Sequence, residues 1–276
     1  MLLDGSKQAT KQREALAGLL TPGELGLGII VATDNAATHT YITAKRKAAE
    51  SVGIRVIIQD LGGQATKTAI VAACQSFNQD DSVTGYIVQL PLPAGVSQQT
   101  VFATVDPAKD ADGLTPTNLG YLFTRQERII PATPRGILSL LAGYEIPVAG
   151  KNITVVGKGL LTGLPLATLL SHRGATVTSC DRLTPNLAEH TRRADIIITA
   201  AGAPGLITAD MVSTQAVVVD VGTTKTGGEL KGDVEFVEVS AKVAAISPVP
   251  GGVGPMTVVS LLENVHELKN IGSTPS

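Results

Sequence analysis

Short apolar runs that alternate with longer amphipathic segments constrain the fold of this chain more than any other feature. Residues 28–31, 55–59 and 85–89 are strand-like, and between them, around 41–52 and 67–77, the apolar residues recur at helical spacing. Such alternation predicts parallel strands with crossover helices. A second series follows, with strands at 153–156, 176–179, 195–199 and 216–220 and a helix at 161–171. The predicted class is therefore α/β with two lobes: an N-terminal α/β substrate or catalytic lobe, and a Rossmann-like dinucleotide-binding lobe on a parallel sheet. Pro131-Ala132-Thr133-Pro134 opens a connecting helix predicted from 135 to about 143. The stretch 256–268, after the Pro/Gly-rich residues 248–255, is expected to pack back on the first lobe. The boundaries follow as 1–118 plus 255–276 for one domain and 119–254 for the other, with a frayed tail from Asn270 to Ser276.

Composition removes several function classes. With 276 residues, 43% apolar and 17% charged, the chain has enough core for a soluble globular protein. It lacks the continuous apolar run that a membrane span needs. A net charge of -2 and 3% aromatic residues offer neither a basic surface for phosphates nor platforms for bases, so neither nucleic acid nor membrane is an expected partner. Met1-Leu2-Leu3-Asp4-Gly5 has no positive segment leading an apolar core, which predicts a cytoplasmic protein. Cys74 and Cys180 lie far apart and read as buried structural thiols, and His39, His172, His190 and His266 show no ligand spacing. No metal is expected.

Val155-Val156-Gly157-Lys158-Gly159-Leu160-Leu161-Thr162-Gly163 joins a predicted strand to a predicted helix. There, glycines let backbone N–H groups approach a pyrophosphate beside the positive end of the helix. The GxGxxxG spacing is one residue longer than the usual fingerprint, and a glycine-rich turn alone is a weak signal. The next strand ends in Ser179-Cys180-Asp181-Arg182. Asp181 suits the ribose hydroxyls of NAD and repels the 2′-phosphate of NADP, whereas Lys158 and Arg182 are cations able to pair with that phosphate. These charges leave the choice between NADP and NAD open.

In the first lobe, Tyr41 and Lys45 stand four residues apart and share one helical face. A lysine desolvated beside an aromatic ring has a lowered pKa and exchanges protons near neutrality, although such a pair is more commonly packing plus a solvated charge. Gln89 ends a strand before Leu90-Pro91-Leu92-Pro93, at the sheet edge where α/β folds place ligands, and a glutamine there can orient a lysine. Asp110 and Asp112 are two apart in an extended segment, so either carboxylate suits an amino-pyrimidine edge, although a plain Asp-Gly turn is by itself the commoner explanation.

Taken together, these residues resemble the bifunctional methylenetetrahydrofolate dehydrogenase/methenyltetrahydrofolate cyclohydrolase family over nearly the whole length. Tyr41-Ile42-Thr43-Ala44-Lys45-Arg46-Lys47-Ala48, Val88 to Pro93, Lys109-Asp110-Ala111-Asp112-Gly113, Gly232-Asp233-Val234 and Pro248 to Thr257 stand in family order, and Pro250 to Met256 is the most distinctive. The resemblance implies that Lys45 is the central cyclohydrolase residue, that Gln89 tunes and positions it, that Asp112 holds the pterin and that Tyr41 stacks on the folate. It implies that Gly251 and Gly252 line the same cleft, and that Gly157, Lys158, Gly159, Arg182 and Thr223 contact the dinucleotide; Asp181 joins that site on its own chemistry. A folate substrate, NADP or NAD as cofactor, a homodimer and a place in one-carbon supply to purine biosynthesis are also implied. Departures gather in the second lobe, where Lys158-Gly159 replaces a residue and a serine and Asp181 replaces a common histidine. In the first lobe Thr38 must supply a hydroxyl usually given by serine, Ala132 replaces a usual cysteine, and a shortened segment between Gly5 and Leu27 leaves the first helix open.

Three rival readings remain. A short-chain dehydrogenase also uses a Tyr-x-x-x-Lys pair, but its glycine loop precedes that pair. Shikimate-dehydrogenase-like enzymes match the lobe order without explaining 250–256. A folate- or nucleotide-binding protein that lost turnover is the third.

Overall fold

The computed structural model describes residues 1–272. From the N-terminus the elements are α1 (Gly5–Ala17), β1 (Gly26–Val31), α2 (Ala36–Ser51), β2 (Arg55–Asp60), α3 (Lys67–Gln79), β3 (Gly85–Gln89), α4 (Gln98–Phe102), α5 (Pro116–Phe123) and α6 (Ala132–Gly143). They continue with β4 (Asn152–Val156), α7 (Gly163–His172), β5 (Thr176–Cys180), α8 (Leu187–Arg192), β6 (Ile196–Thr199), β7 (Val217–Asp220), β8 (Thr224–Thr226), β9 (Glu229–Lys231), α9 (Phe236–Ser240), β10 (Ala245–Ile246) and α10 (Val253–Gly272). The α/β class with parallel sheets is as expected. The tail expected to fray from Asn270 is helical as far as Gly272; the rest of that expectation, 273–276, lies outside the described residues.

The chain divides into two compact units. A glycine-loop unit holds Met1–Thr10 and Thr133–Thr257, and a lysine-bearing unit holds Lys11–Ala132 and the chain from Val258 onward. This division differs from a boundary at 118. Leu3 N donates to Ile246 O at 2.8 Å, which ties the first residues to β10, and Ala132 N donates to Asp112 O at 3.2 Å, which keeps 119–132 with the lysine-bearing unit. The changes of unit fall inside helices α1, α6 and α10.

In the lysine-bearing unit, β2-β1-β3 form a parallel sheet, and residues 109–111 run beside β3 through Tyr86 N to Lys109 O (2.8 Å) and Ala111 N to Tyr86 O (3.2 Å). Every residue of β1 is buried, because helices cover both faces of the sheet. On one face Ile29, Val31 and Ile87 pack with Ile42, Ala48 and Ala49 of α2 and with Leu261, Leu262 and Val265 of α10. Ile30, Tyr86 and Val88 face Ile70, Ala73, Cys74 and Phe77 of α3 on the other. Strand alternation therefore delivers Gln89, two beyond Ile87, to the α2 side. The C-terminal helix joins the first-lobe core, as expected.

The glycine-loop unit carries a five-stranded parallel sheet in the order β10-β7-β6-β4-β5. Its first strand, β4, lies between β5 and β6, so the chain reverses direction across the sheet there. Ligands of open α/β sheets bind at such a reversal, beyond the carboxyl ends of the strands. Cys74 and Cys180 are buried free thiols.

One buried polar side chain ties α10 to the segment that carries Asp112. Asn264 falls in the inward stripe of Leu261, Val265 and Leu268 and donates through Nδ2 to Ala111 O (2.8 Å) and Ile130 O (2.9 Å). Replacing it with leucine leaves both carbonyls unpaired in the core, so Asn264→Leu is expected to destabilise the protein by about 2–4 kcal/mol in urea denaturation. Stability within about 0.5 kcal/mol of wild type would remove this linkage.

Candidate active site

Asn35 fixes the start of α2, its Oδ1 accepting from Ala37 N at 2.9 Å and Thr38 N at 3.3 Å. From there Thr38, Ile42 and Ala49 form the buried stripe of the helix, at spacings of four and seven residues. Lys45 occupies the position between Ile42 and Ala49 where an apolar residue is expected. Its ammonium is drawn inward instead of snorkelling to solvent, and Nζ donates to Gln89 Oε1 at 2.8 Å. The amide of Gln89 is held by its own donation from Nε2 to Leu90 O at 2.9 Å, which leaves Oε1 aimed at the lysine. The sequence-based pairing of Lys45 with Gln89 is thus present in the geometry.

Burial pulls the pKa of Lys45 down, opposed by the nearby carboxylate of Asp112. Burial likewise pushes Asp112 up to about 6; the ammonium of Lys45 opposes the rise and the charge of Asp110 adds to it. Both groups are driven toward their neutral forms, which lowers the barrier to moving a proton between them. Asp110 does different work. It is buried, and its Oδ2 accepts from Thr115 N at 2.7 Å and Asn118 Nδ2 at 2.9 Å, so this acid braces the turn and its neighbour faces the lysine.

Tyr41, one turn before Lys45, keeps 41% of its surface exposed, and partial burial raises its phenol pKa. An exposed aromatic face next to a desolvated amine suits a planar ligand. Thr38 is buried one turn further back. Gly251 and Gly252 belong to the glycine-loop unit, in the turn that leads into α10. Gly251 has φ +103° and accepts from Ser6 N at 2.9 Å, and a Cβ on Gly252 would meet Pro248 O at 2.5 Å.

The glycine loop follows β4. Gly157 has φ +108°, and a Cβ there would overlap Ala200 O; one on Gly163 would overlap Gly157 O. These glycines bring the loop against β6 and let α7 start directly beneath it, which accounts for the longer GxGxxxG spacing. Gly159 faces open space, so the exposed side of the loop and the N-terminus of α7 suit an anionic pyrophosphate.

The two charges that the sequence sets against each other form a pair. Lys158 Nζ lies 3.3 Å from Asp181 Oδ2, both side chains being partly exposed, and Asp181 Oδ1 also accepts from Leu183 N at 3.0 Å. The Leu183 N–H and then Lys158 hold Asp181 below the usual carboxylate range. A 2′-phosphate must therefore compete with Asp181 for Lys158. Arg182 and Thr223 are exposed. Among the described residues no group of three or more His, Cys, Asp or Glu is placed to hold a metal ion, and no helix is long and apolar enough to cross a membrane.

Sequence reasoning missed Asn264, Asp110 with Asn118, and the partners of Asp233. A buried Asn in an apolar helical stripe was a legible signal for the first. The others depend on contacts that no local pattern encodes.

Comparison with known proteins matches residues 3–112 to the catalytic domain, and residues 131–271 to the NAD(P)-binding domain, of tetrahydrofolate dehydrogenase/cyclohydrolase. A bifunctional FolD protein from Methanospirillum hungatei is 44% identical over 97% of this chain and 97% of its own. The crystal structure of a bifunctional methylenetetrahydrofolate dehydrogenase/cyclohydrolase from Campylobacter jejuni superposes with a TM-score of 0.92 at 41% identity, covering 98% of this chain and 99% of that one. A Trypanosoma brucei enzyme of the same description, complexed with NADP and an inhibitor, gives 0.93 at 34% identity, with 99% of each chain covered. A shikimate dehydrogenase from Aquifex aeolicus shares only the fold, at a TM-score of 0.53 and 13% identity over 92% of this chain and 100% of that one.

The raised pKa of Asp112 carries a stability signature. A carboxyl whose folded pKa is about 6 against 3.8 unfolded binds its proton more tightly when folded, so its contribution is fully present below about pH 4 and is lost as pH rises through 6. Wild-type stability should fall relative to Asp112→Asn by on the order of 2–3 kcal/mol between pH 4.5 and pH 7.5. Parallel pH profiles in chemical denaturation would show that Asp112 is not desolvated.

Proposed function

This chain belongs to the tetrahydrofolate dehydrogenase/cyclohydrolase family, and from that premise we propose that it oxidises 5,10-methylenetetrahydrofolate with NADP, or with NAD, and hydrolyses the methenyl product to 10-formyltetrahydrofolate. The observation that carries this reading is the desolvated Lys45 hydrogen-bonded to Gln89 beside Asp112.

In the oxidation, the methylene carbon between N5 and N10 gives up a hydride while a nitrogen lone pair stabilises the developing cation. A bound nicotinamide dinucleotide supplies the hydride acceptor. No strong protein base is required, so the protein contributes chiefly orientation. Gly157, Lys158, Gly159, Asp181, Arg182 and Thr223 are assigned to dinucleotide binding, supported by the open face of the loop and by its place at the strand reversal.

In the hydrolysis, water adds to the methenyl carbon, a C–O bond forms, and the bond to N5 breaks to leave the formyl group on N10. Lys45, with its lowered pKa, takes the first proton from the water as the hydroxyl adduct forms and returns it to N5 as that nitrogen departs, while the hydroxyl proton of the adduct is released to solvent as the formyl C=O forms. Gln89 holds the amine in place, Asp112 accepts from the amino edge of the pterin, Tyr41 stacks on its ring, and Thr38 lends a hydroxyl. Gly251 and Gly252 are assigned to folate binding on the family pattern alone. The glycine-loop unit is then the NAD(P)-binding domain and the lysine-bearing unit the folate-binding catalytic domain. Family membership also supports a homodimer in the cytoplasm that feeds one-carbon units to purine biosynthesis.

A spectrophotometric assay with methylenetetrahydrofolate and either dinucleotide tests the whole reading; no reduced nicotinamide with either would reject it. Lys45→Met is expected to lower cyclohydrolase turnover by about a hundredfold or more, with the fold intact by circular dichroism. Full hydrolysis by this variant would refute the role of the lysine. Asp181→Ser frees Lys158 for a 2′-phosphate and should raise the NADP to NAD ratio of kcat/KM by about two- to tenfold. An unchanged ratio would end the argument from charge.

A further inference from the structure

The motif Gly232-Asp233-Val234 has no part in either proposed reaction, yet it is the most heavily hydrogen-bonded carboxylate site described above β6 and β7. Asp233 is fully buried. Its Oδ2 accepts from Thr199 Oγ1 at 3.0 Å, Ala201 N at 2.7 Å and Gly202 N at 3.2 Å, and its Oδ1 from Ala203 N at 2.8 Å. A carboxylate has about four acceptor sites, so these donors fill it and leave no capacity for a ligand. Its effect on chemistry must therefore pass through the loop it holds.

Asp233 is itself anchored by a second buried carboxylate. Asp220, at the end of β7, accepts through Oδ1 from Gly222 N at 2.9 Å and Asp233 N at 3.0 Å, and through Oδ2 from Val234 N at 3.0 Å. The approach is close enough that a Cβ on Gly222 would overlap the Asp233 carboxylate and one on Gly232 would overlap that of Asp220. Two carboxylates and two glycines thus lock the segment after β7 to the loop after β6.

That loop lies at the strand reversal. β4 and β6 are neighbours, Ala200 N donates to Val156 O at 2.7 Å, and the missing side chain of Gly157 leaves room for Ala200 O. Residues 200–203 and the 157–163 loop therefore rise side by side from adjacent strand ends, where doubly wound sheets bind nucleotides. We propose that Asp233 is a positioning residue for the dinucleotide: by fixing 201–203 it sets the crevice beside the glycine loop, and its loss weakens cofactor binding without touching the cyclohydrolase chemistry. The inference rests on the assignment of the dinucleotide to the 157–163 loop.

Asp233→Asn keeps the shape of the side chain and turns one end of it into a donor facing backbone N–H groups. In the full-length protein, NADP titrated by calorimetry and steady-state kinetics of both reactions separate the possibilities. The expected result is a rise of about tenfold or more in the dissociation constant and in the dehydrogenase KM for NADP, with kcat at saturating NADP within about threefold and cyclohydrolase kcat/KM within about twofold. Unchanged NADP binding, or parallel losses in both activities, would overturn the proposal. Gly157→Val serves as the control for the glycine loop. If it abolishes binding while Asp233→Asn retains it, the loop assignment stands and the role of Asp233 fails; if wild type binds neither dinucleotide, both fail together. Should Asp233→Asn not fold, Thr199→Val removes a single donor and leaves the carboxylate in place. It should raise the NADP KM about two- to fivefold with the cyclohydrolase unchanged, and an unaltered KM would overturn the proposal.

Discussion

Parallel strands cannot be joined by tight turns, and this constraint governs the rest of the molecule. Each strand must be followed by a crossover, and the crossovers place helices over both faces of the sheet. Where the first strand of a unit ends up between the second and the third, the crossovers on its two sides diverge and leave a crevice at the strand ends. That arrangement occurs twice here, with β1 between β2 and β3 and with β4 between β5 and β6. Gln89 stands at one of these reversals, and the Gly157 loop with residues 200–203 stands at the other. Both candidate sites thus include residues at strand ends that the crossovers leave uncovered.

Within the lysine-bearing unit, the proposed chemistry rests on a polar residue placed where the packing asks for an apolar one. The inward stripe of α2 would be satisfied by a leucine at position 45. A lysine there cannot keep its hydration, and one amide oxygen and one neighbouring carboxylate only partly compensate. The cost to stability and the lowered proton affinity of the amine are two expressions of one desolvation.

Much of this was legible in the sequence because burial on both faces writes continuous apolar runs. The strand at 85–89 matches β3 residue for residue, and the parallel α/β class followed from the alternation alone. Boundaries were less legible where capping decides them. α2 begins at Ala36 and not near Tyr41, because Asn35 caps it, and α10 begins at Val253 because Pro255 is tolerated in a first turn. The first helix, left open by a shortened segment, forms as α1. The β8–β9 hairpin escaped because its strands are three residues each and polar, although Gly227-Gly228, both with positive φ, is a recognisable hairpin turn. At the sites, residue types were readable and partnerships were not. Asp110 and Asp112 look equivalent in one dimension, yet one braces a turn and the other faces Lys45. Lys158 and Asp181, read as rival votes on the cofactor, neutralise each other. Each of these outcomes depends on a contact set by tertiary packing.

The interlocked carboxylates and glycines of the segment after β7 also shape how this protein can vary. Position 222 cannot acquire a side chain, because a Cβ there would meet both the carboxylate and the backbone nitrogen of Asp233, and position 232 cannot acquire one while residue 220 keeps its carboxylate. In a random library, single changes at these places would be purged, and a side chain at position 232 would need a simultaneous replacement of Asp220. Such strong epistasis lets the surrounding surface diversify freely and keeps one small block of backbone inherited whole.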